Sequence, residues 1–317
     1  MRELPIICNV EITHKCNFNC HICYNSRYNV PELTTNQFKY LFRSFAKEGC
    51  FYMHFSGGEP LLRPDFCELY KFCVDIGIKP SVESNASFVT KEHIELFKAY
   101  PPLILYVSIY SATLKTFLKT TRSNAKYFAT VRKNILLLKE LGINVFLRTP
   151  VSVFNYFELG EIHDYSVDIE LPHSYSPLIW WSQTGKRLDH YRVTSAQISS
   201  IRRNHKVFED LMEKVSKLEQ GPFYARSCLV GINEFYVSPN GQMHLCHNFW
   251  NTKYDLMKGS FREAWNNWLP QFRKEEGEWC ASKQLSPVGK CPYGEIYYDS
   301  NEDPSLTLEE RLQLMGV

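Results

Sequence analysis

The chain has 317 residues, 36 of them Lys or Arg and 34 Asp or Glu, for a formal net charge of +2. That balance argues against phosphate-backbone binding as the main task, and no apolar run approaches the roughly 18 residues a membrane span needs. The start, Met1-Arg-Glu-Leu-Pro5, lacks the pattern of a signal peptide, so a cytoplasmic chain without nucleic-acid or membrane partners is expected. In a reducing compartment its 11 cysteines point to metal binding, catalysis and a few buried thiols rather than disulfides.

In chain order, short apolar strands are expected at 6–12, 50–56, 79–85, 103–110, 143–149 and 166–171, with helices between them. Phe38, Leu41, Phe42 and Phe45 share one face of a helix over 35–48, and Phe66, Leu69, Tyr70 and Cys73 one face over 64–77. Over 128–141 the same holds for Phe128, Val131, Ile135 and Leu138, with Gly142 as the C-cap. The run Ile198, Ile201, Phe208, Leu211, Val215 and Leu218 predicts one long helix over 195–219. Six such units predict an α/β fold, a partial (βα)6 TIM-type barrel over residues 1–221.

Strand parity adds a prediction about function. In 6–12, Cys8, Val10 and Ile12 alternate with Asn9 and Glu11. Later strands repeat the split, with His54 and Ser56, Glu83 and Asn85, Ser108 and Tyr110, and Arg148 on the polar side. A parallel sheet covered on both faces by helices reads apolar throughout. A polar inner face therefore predicts a lumen that holds a ligand. Cys8, Cys50, Cys67 and Cys73 are expected to be core thiols.

The loop after the first strand carries Cys16-Asn-Phe-Asn-Cys20-His-Ile-Cys23. Three thiolates so closely spaced suit one soft-metal centre. One reading is a four-iron cluster with an open coordination position; the other is a structural zinc with His14 or His21 as the fourth ligand. After Gly221-Pro222 the alternation stops, and residues 222–317 are expected to form a separate small α+β unit. Pro239-Asn240-Gly241 there reads as the turn of a hairpin within 235–246. Cys228, Cys246, Cys280 and Cys291 predict a second, four-ligand metal site.

The motif CX3CX2C, together with the turn Ser56-Gly57-Gly58-Glu59-Pro60 one strand and one helix downstream, resembles the radical SAM superfamily over about residues 6–219. The resemblance implies that Cys16, Cys20 and Cys23 hold a [4Fe-4S] cluster, whose open iron binds the methionine end of S-adenosylmethionine (SAM). It implies that the glycine turn holds the SAM amino group and that Ile22 lies against adenine. Ser84-Asn85-Ala86 resembles the family's Thr-Asn-Gly; Ser108, Arg148 and Asn155 resemble further SAM-contacting positions. Tyr110 departs from the pattern, standing where the family has Asp.

Beyond residue 222, Cys228, Gly241 and Cys246, with 12 and four residues between them, resemble the SPASM/twitch extensions. With Cys280 and Cys291 that implies a cluster-binding extension holding one auxiliary [4Fe-4S] cluster. The implied chemistry is reductive SAM cleavage to a 5′-deoxyadenosyl radical, which takes a hydrogen atom from a substrate. An electron donor such as flavodoxin or ferredoxin is implied as a partner. Glu11, His54, Glu83, Tyr110 and Arg148 are the substrate-side candidates, with Glu11, His54 and Tyr110 as the catalytic ones. Among relatives with such extensions the commonest task is crosslinking, oxidation or epimerisation of a ribosomally made peptide. The few residues before the first strand speak against an N-terminal leader-binding domain. The alternatives are a dehydrogenase or epimerase of a sugar or aminocyclitol, on which Trp180-Trp181 could stack, and a non-enzymatic metal-binding scaffold.

Overall fold

The computed structural model describes residues 4–25, 31–179, 182–183, 186–201, 206–219, 233–244 and 253–272. Strands and helices alternate as β1 (Ile7–Thr13), α1 (Thr35–Lys47), β2 (Tyr52–Gly57), α2 (Phe66–Asp75), β3 (Lys79–Ser84), α3 (Lys91–Ala99) and β4 (Leu105–Ser108). They continue as α4 (Leu114–Thr121), α5 (Lys126–Glu140), β5 (Val145–Pro150), α6 (Leu159–Asp168), β6 (His173–Ser176), α7 (Ser195–Ser199) and α8 (Lys206–Glu219). Three short strands follow, β7 (Glu234–Val237), β8 (Gln242–His244) and β9 (Lys253–Asp255).

The nine strands of the described residues form one sheet in the order β6-β5-β4-β3-β2-β1-β7-β8-β9. Strands β1 to β6 are parallel and lie side by side in chain order, the arrangement that right-handed crossovers through helices produce. The expected hairpin exists, with β7 and β8 antiparallel and Gly241 at φ +79 in the turn. Its first strand does more than the sequence suggests: β7 pairs in parallel with β1, placing Tyr236 beside Asn9.

The helices form where apolar spacing and caps agree. Thr34 and Gln37 make a capping box at the start of α1, and Thr90 and His93 make one at α3. The apolar face of α1 (Phe38, Leu41, Phe42, Phe45) is fully buried. Phe42 meets Phe55 of β2 edge-on at 5.9 Å, and Phe45 meets Phe235 of β7 at 5.0 Å and Phe261 at 4.6 Å. Phe45 thus ties α1 to the last described segments of the chain.

Two expectations are corrected. The strand expected at 166–171 is the end of a helix: Leu159, Ile162 and Ser166 give α6 its buried face. Val167 is 59% exposed, so its alternation with Ile169 and Leu171 was accidental. Glu170 at φ +49 ends that run, and the strand forms at His173–Ser176, which carries little apolar signal. The long helix over 195–219 is two helices, α7 and α8; Ile198 and Phe208 are both buried but belong to different segments.

Strand parity holds. Cys8, Val10, Ile12, Met53, Phe55, Val82, Val107, Val145 and Leu147 are all buried in the core. Direct register partners on the other face include Asn9 with His54, Glu11 with Ser56, Glu83 with Tyr106, and Ser108 with Arg148. Cys50 and Cys73 are core thiols as expected, but Cys67 is only half-buried, on the edge of α2 beside Glu92. Among the described residues no helix is long and apolar enough to cross a membrane.

Truncating Phe45 leaves a cavity where α1, β7 and Phe261 meet. Phe45→Ala is expected to cost about 3–5 kcal/mol, measured as a lower urea midpoint; a loss under about 1 kcal/mol would mean this junction is loosely packed.

Candidate active site

Cys16, Cys20 and Cys23 lie in the loop after β1, the first two half-buried and Cys23 exposed. Neighbours on three sides hold this loop. The amide of Gly58 donates to Thr13 O at 2.8 Å and that of Glu59 to Lys15 O at 2.8 Å. On the far side, Asn19 N donates to Thr121 O at 2.9 Å and His21 N to Thr120 O at 3.2 Å. Phe18, between the first two cysteines, is buried among the rings of Tyr110, Phe117 and Tyr127 at 5.5–6.2 Å.

The two glycines are explained by this contact. A Cβ on Gly57 would sit 2.3 Å from Thr13 O, and one on Gly58 2.2 Å from Lys15 O. Gly57 also has φ +130, which L side chains rarely adopt. Their smallness first serves the approach of the cysteine loop itself. Arg63, just beyond the turn, braces the same place: it donates to Ile12 O at 2.7 Å, to Leu33 O at 2.8 Å and to Asp65. Glu32 completes the brace by accepting from Thr13 Oγ1 and the His14 amide.

The thiols sit as a coupled group. Burial pushes the Cys20 thiol well up, and the nearby Cys23 and Cys16 push it further, while a hydrogen bond from Tyr110 acts the other way. Three such groups ionise together only if a cation compensates them, which is what bound iron supplies. The zinc reading needs a fourth ligand at one point. His14 is buried near Glu11, 4.0 Å from its carboxylate, and the His21 ring stacks on Phe154 at 4.9 Å. Among the described residues no three His, Cys, Asp or Glu side chains converge tightly enough for a single ion. Three cysteine thiols carried on one loop are the donor type that iron clusters take.

Behind Cys16 lies a polar lattice. Asn85 Nδ2 is 3.8 Å from Cys16 Sγ and donates to Asn17 Oδ1 at 3.0 Å; Ser87 donates to Asn85 Oδ1, and Asn17 donates to Ser87 Oγ. Glu59 is buried and turned inward, accepting from Leu61 N, Ser84 Oγ and Asn85 N. Burial pushes its carboxyl up to about 7 against those three donors. Ala86 stands at φ +53, a conformation in which Gly would be unstrained. Pro60 is buried at the start of a short 3₁₀ turn, Ser56 is buried with its hydroxyl 3.5 Å from Val10 O, and Ile22 is half-buried in the cysteine loop.

The substrate-side candidates separate into three places. His54 and Arg148 flank Glu83 at 3.4 and 3.7 Å, and the Arg148 guanidinium stacks on Tyr106 at 3.5 Å. Glu11 is fully buried with Gln183, which donates to it at 3.0 Å, and with the hydroxyls of Tyr24 and Tyr236. Burial pushes Glu11 up to about 7, with these three hydrogen bonds opposing. Tyr110 belongs to neither group: it lies with the cysteines, hydrogen-bonded to Ser108 and Cys20. Asn155 uses its side chain within the chain, donating to Tyr110 O and Pro150 O and accepting from Ser152, and so locks the end of β5. Cys228, Cys246, Cys280 and Cys291 lie outside the described residues, as do Trp180 and Trp181.

Sequence reasoning missed Tyr24, Gln183 and Tyr236 around Glu11, and the Arg63–Glu32 brace. It also missed Glu158, which accepts from the Ala112 and Thr113 amides and from the Thr113 and Thr116 hydroxyls at the start of α4. Only Tyr24, adjoining Cys23, carried a positional hint.

Two outcomes follow from this geometry. Gly58→Ala is expected to displace the cysteine loop and lower iron retained after anaerobic reconstitution at least about fivefold; normal loading would show that the contact with Lys15 is dispensable. For Glu11, a raised carboxyl pKa favours folding below the ordinary value near 4.5, an advantage lost as pH rises through about 7. Glu11→Gln should therefore flatten the fall in stability between about pH 4.5 and 7, by up to roughly 3 kcal/mol; unchanged melting curves across that range would contradict the buried-acid assignment.

The Radical SAM superfamily model matches residues 10–164. The chain is 26% identical over 306 residues to an AdoMet-dependent heme synthase of Methanosarcina barkeri, covering 86% of this chain and 85% of that one. It is 24% identical to the antilisterial bacteriocin subtilosin biosynthesis protein AlbA of Bacillus subtilis, over 91% of this chain and 66% of that protein. In fold it resembles Streptococcus suis SuiB bound to precursor peptide SuiA, with a TM-score of 0.68 at 14% identity over 93% of this chain and 73% of SuiB. The stretch that the Radical SAM superfamily model matches carries the cysteine loop and the glycine turn.

Proposed function

We propose that this protein is a radical SAM enzyme that functionalises a C–H bond of a ribosomally made peptide. The observation that carries the reading is the convergence of Cys16, Cys20 and Cys23 with the Gly57-Gly58 turn at the carboxyl ends of parallel strands. We take the six parallel strands as the partial (βα)6 barrel, the unit over residues 1–221. Residues 222–317 would be the twitch/SPASM-like extension, with Cys228, Cys246, Cys280 and Cys291 holding an auxiliary cluster.

When bound, the cluster and SAM supply a 5′-deoxyadenosyl radical on one-electron reduction. The chain's own residues do the rest. Cys16, Cys20 and Cys23 bind iron; Asn85 lies against the Cys16 sulfur; Tyr110 donates a hydrogen bond at Cys20. The turn Ser56–Pro60, with Ile22, Ser108 and Arg148, would hold SAM. Glu11, caged by Gln183 and two tyrosines, is a carboxyl that can hold or release a proton near neutral pH on the polar sheet face.

The peptide substrate is supported by the likeness to the subtilosin biosynthesis protein along most of this chain. A second reading, a carboxylate-bearing tetrapyrrole, is supported by the heme synthase relative, matched over 85% of its length. Arg148 would then meet a substrate carboxylate in place of Glu83. Sugar or aminocyclitol chemistry has no comparable support.

Anaerobically reconstituted protein should hold about eight irons and, when reduced, convert SAM to 5′-deoxyadenosine. Cys16→Ala should abolish cleavage, whereas Cys246→Ala should retain most of it while lowering iron content. Bound zinc with no SAM cleavage would overturn the proposal.

A further inference from the structure

Acidic residues are missing from a long stretch beside the cysteine loop. Between Leu96 and Lys139 there are eight Lys or Arg and no Asp or Glu, in a chain whose net charge is only +2. The stretch folds as β4, α4 and α5. Arg132 is committed inside, donating to Ser111 O and Ala112 O, Lys139 pairs with Glu170, and Lys98 pairs with Glu95. Lys115, Lys119, Arg122, Lys126 and Lys133 are exposed, and among the described residues none of them has a carboxylate partner within ion-pair distance.

This basic surface abuts the cysteine loop. The carbonyls of Thr120 and Thr121 at the end of α4 accept from His21 and Asn19 of that loop. Lys119 lies over the Phe154 ring at 5.6 Å, and Phe154 stacks on His21, the residue after Cys20. The charges that bear on His21, from Arg122, Lys186 and Lys119, are all positive. Carboxylates lie instead on the polar sheet face, with Glu11, Glu83 and Glu234.

We infer that the exposed cations of α4 and the start of α5 are the docking surface for an acidic one-electron carrier protein of the flavodoxin or ferredoxin class. The inference rests on reading Cys16, Cys20 and Cys23 as ligands of a reducible cluster. One electron leaves the carrier's reduced centre and enters the thiolate-bound iron; no bond or proton is exchanged. Two features favour a carrier over an acidic peptide. The cations flank the backbone of the cysteine loop, where the electron must arrive. The polar sheet face, where a substrate's C–H bond must sit, carries the opposite balance. Like-signed surface charge of this kind acts mainly on encounter rate, over a screening length of about 8 Å at physiological salt.

The test uses the full-length, anaerobically reconstituted protein and a bacterial flavodoxin. Stopped-flow oxidation of flavodoxin hydroquinone gives the electron-transfer rate constant, and calorimetry with oxidised flavodoxin gives affinity even for a chain that binds no iron. Failure of the cluster reading and failure of the surface are thereby distinguished. Combining Lys115→Glu, Lys119→Glu and Arg122→Glu should lower affinity and rate at least about tenfold and remove most of their salt dependence. Dithionite-driven SAM cleavage should stay within about twofold of the parent. Neutralising Lys119→Gln alone should give a smaller loss, and Lys133→Gln, farther along α5, less still. The inference is overturned if the triple variant binds flavodoxin as tightly as the parent, or if the parent's affinity is insensitive to salt. It is also overturned if a poly-glutamate peptide loses binding while flavodoxin does not.

Discussion

The structure depends on one close approach: the turn after β2 pressed against the loop after β1. Two amide donors, Gly58 to Thr13 O and Glu59 to Lys15 O, make the contact, and two absent Cβ atoms permit it. Each hydrogen bond alone contributes about 1 kcal/mol. Their effect is positional, because the cysteine loop has little regular structure and takes its shape from what it leans on. Arg63 and Glu32 fix its beginning, Phe18 its middle, and the end of α4 its far side. Three thiols that would otherwise avoid one another in a half-buried place are thereby held as a group that a cationic cluster can relieve.

The same approach links the loop to the rest of the site. Glu59, one residue past the second glycine, reaches to the end of β3 and sets Asn85 beside Cys16. The ionisable groups of the sheet face are held apart from this lattice: Glu11 in its cage, and Glu83 between His54 and Arg148. Hydrogen bonding and burial therefore divide the molecule into a thiol-bearing rim, a polar sheet face, and a basic outer flank.

Much of this was legible in the residues. Period-2 alternation located five of the first six strands and their polar face, because burial on one side leaves that signature directly. The sixth failed because Val167, Ile169 and Leu171 alternate by chance at a helix end, whereas His173–Ser176 is held by its neighbour β5 more than by its own side chains. Cys16, Cys20 and Cys23 were visible as a motif because ligand spacing is local. The cage around Glu11 was not: Gln183 and Tyr236 lie far off in sequence, and only the fold brings them together. For the glycine turn the resemblance implied a role toward SAM alone; that its missing Cβ atoms make room for the cysteine loop shows only in the fold. Tyr110, on the polar side by parity, lies beside the thiols, with hydrogen bonds to Cys20 and Ser108.

The central claim is that Cys16, Cys20 and Cys23 hold a cluster with an open coordination position. Electron paramagnetic resonance of the reduced, reconstituted protein, before and after adding SAM, tests it most directly. The account predicts a [4Fe-4S]⁺ signal whose g values shift on SAM addition, and loss of that shift when Cys20 is replaced by Ala. A cluster signal indifferent to SAM, or a shift that survives Cys20→Ala, would contradict it.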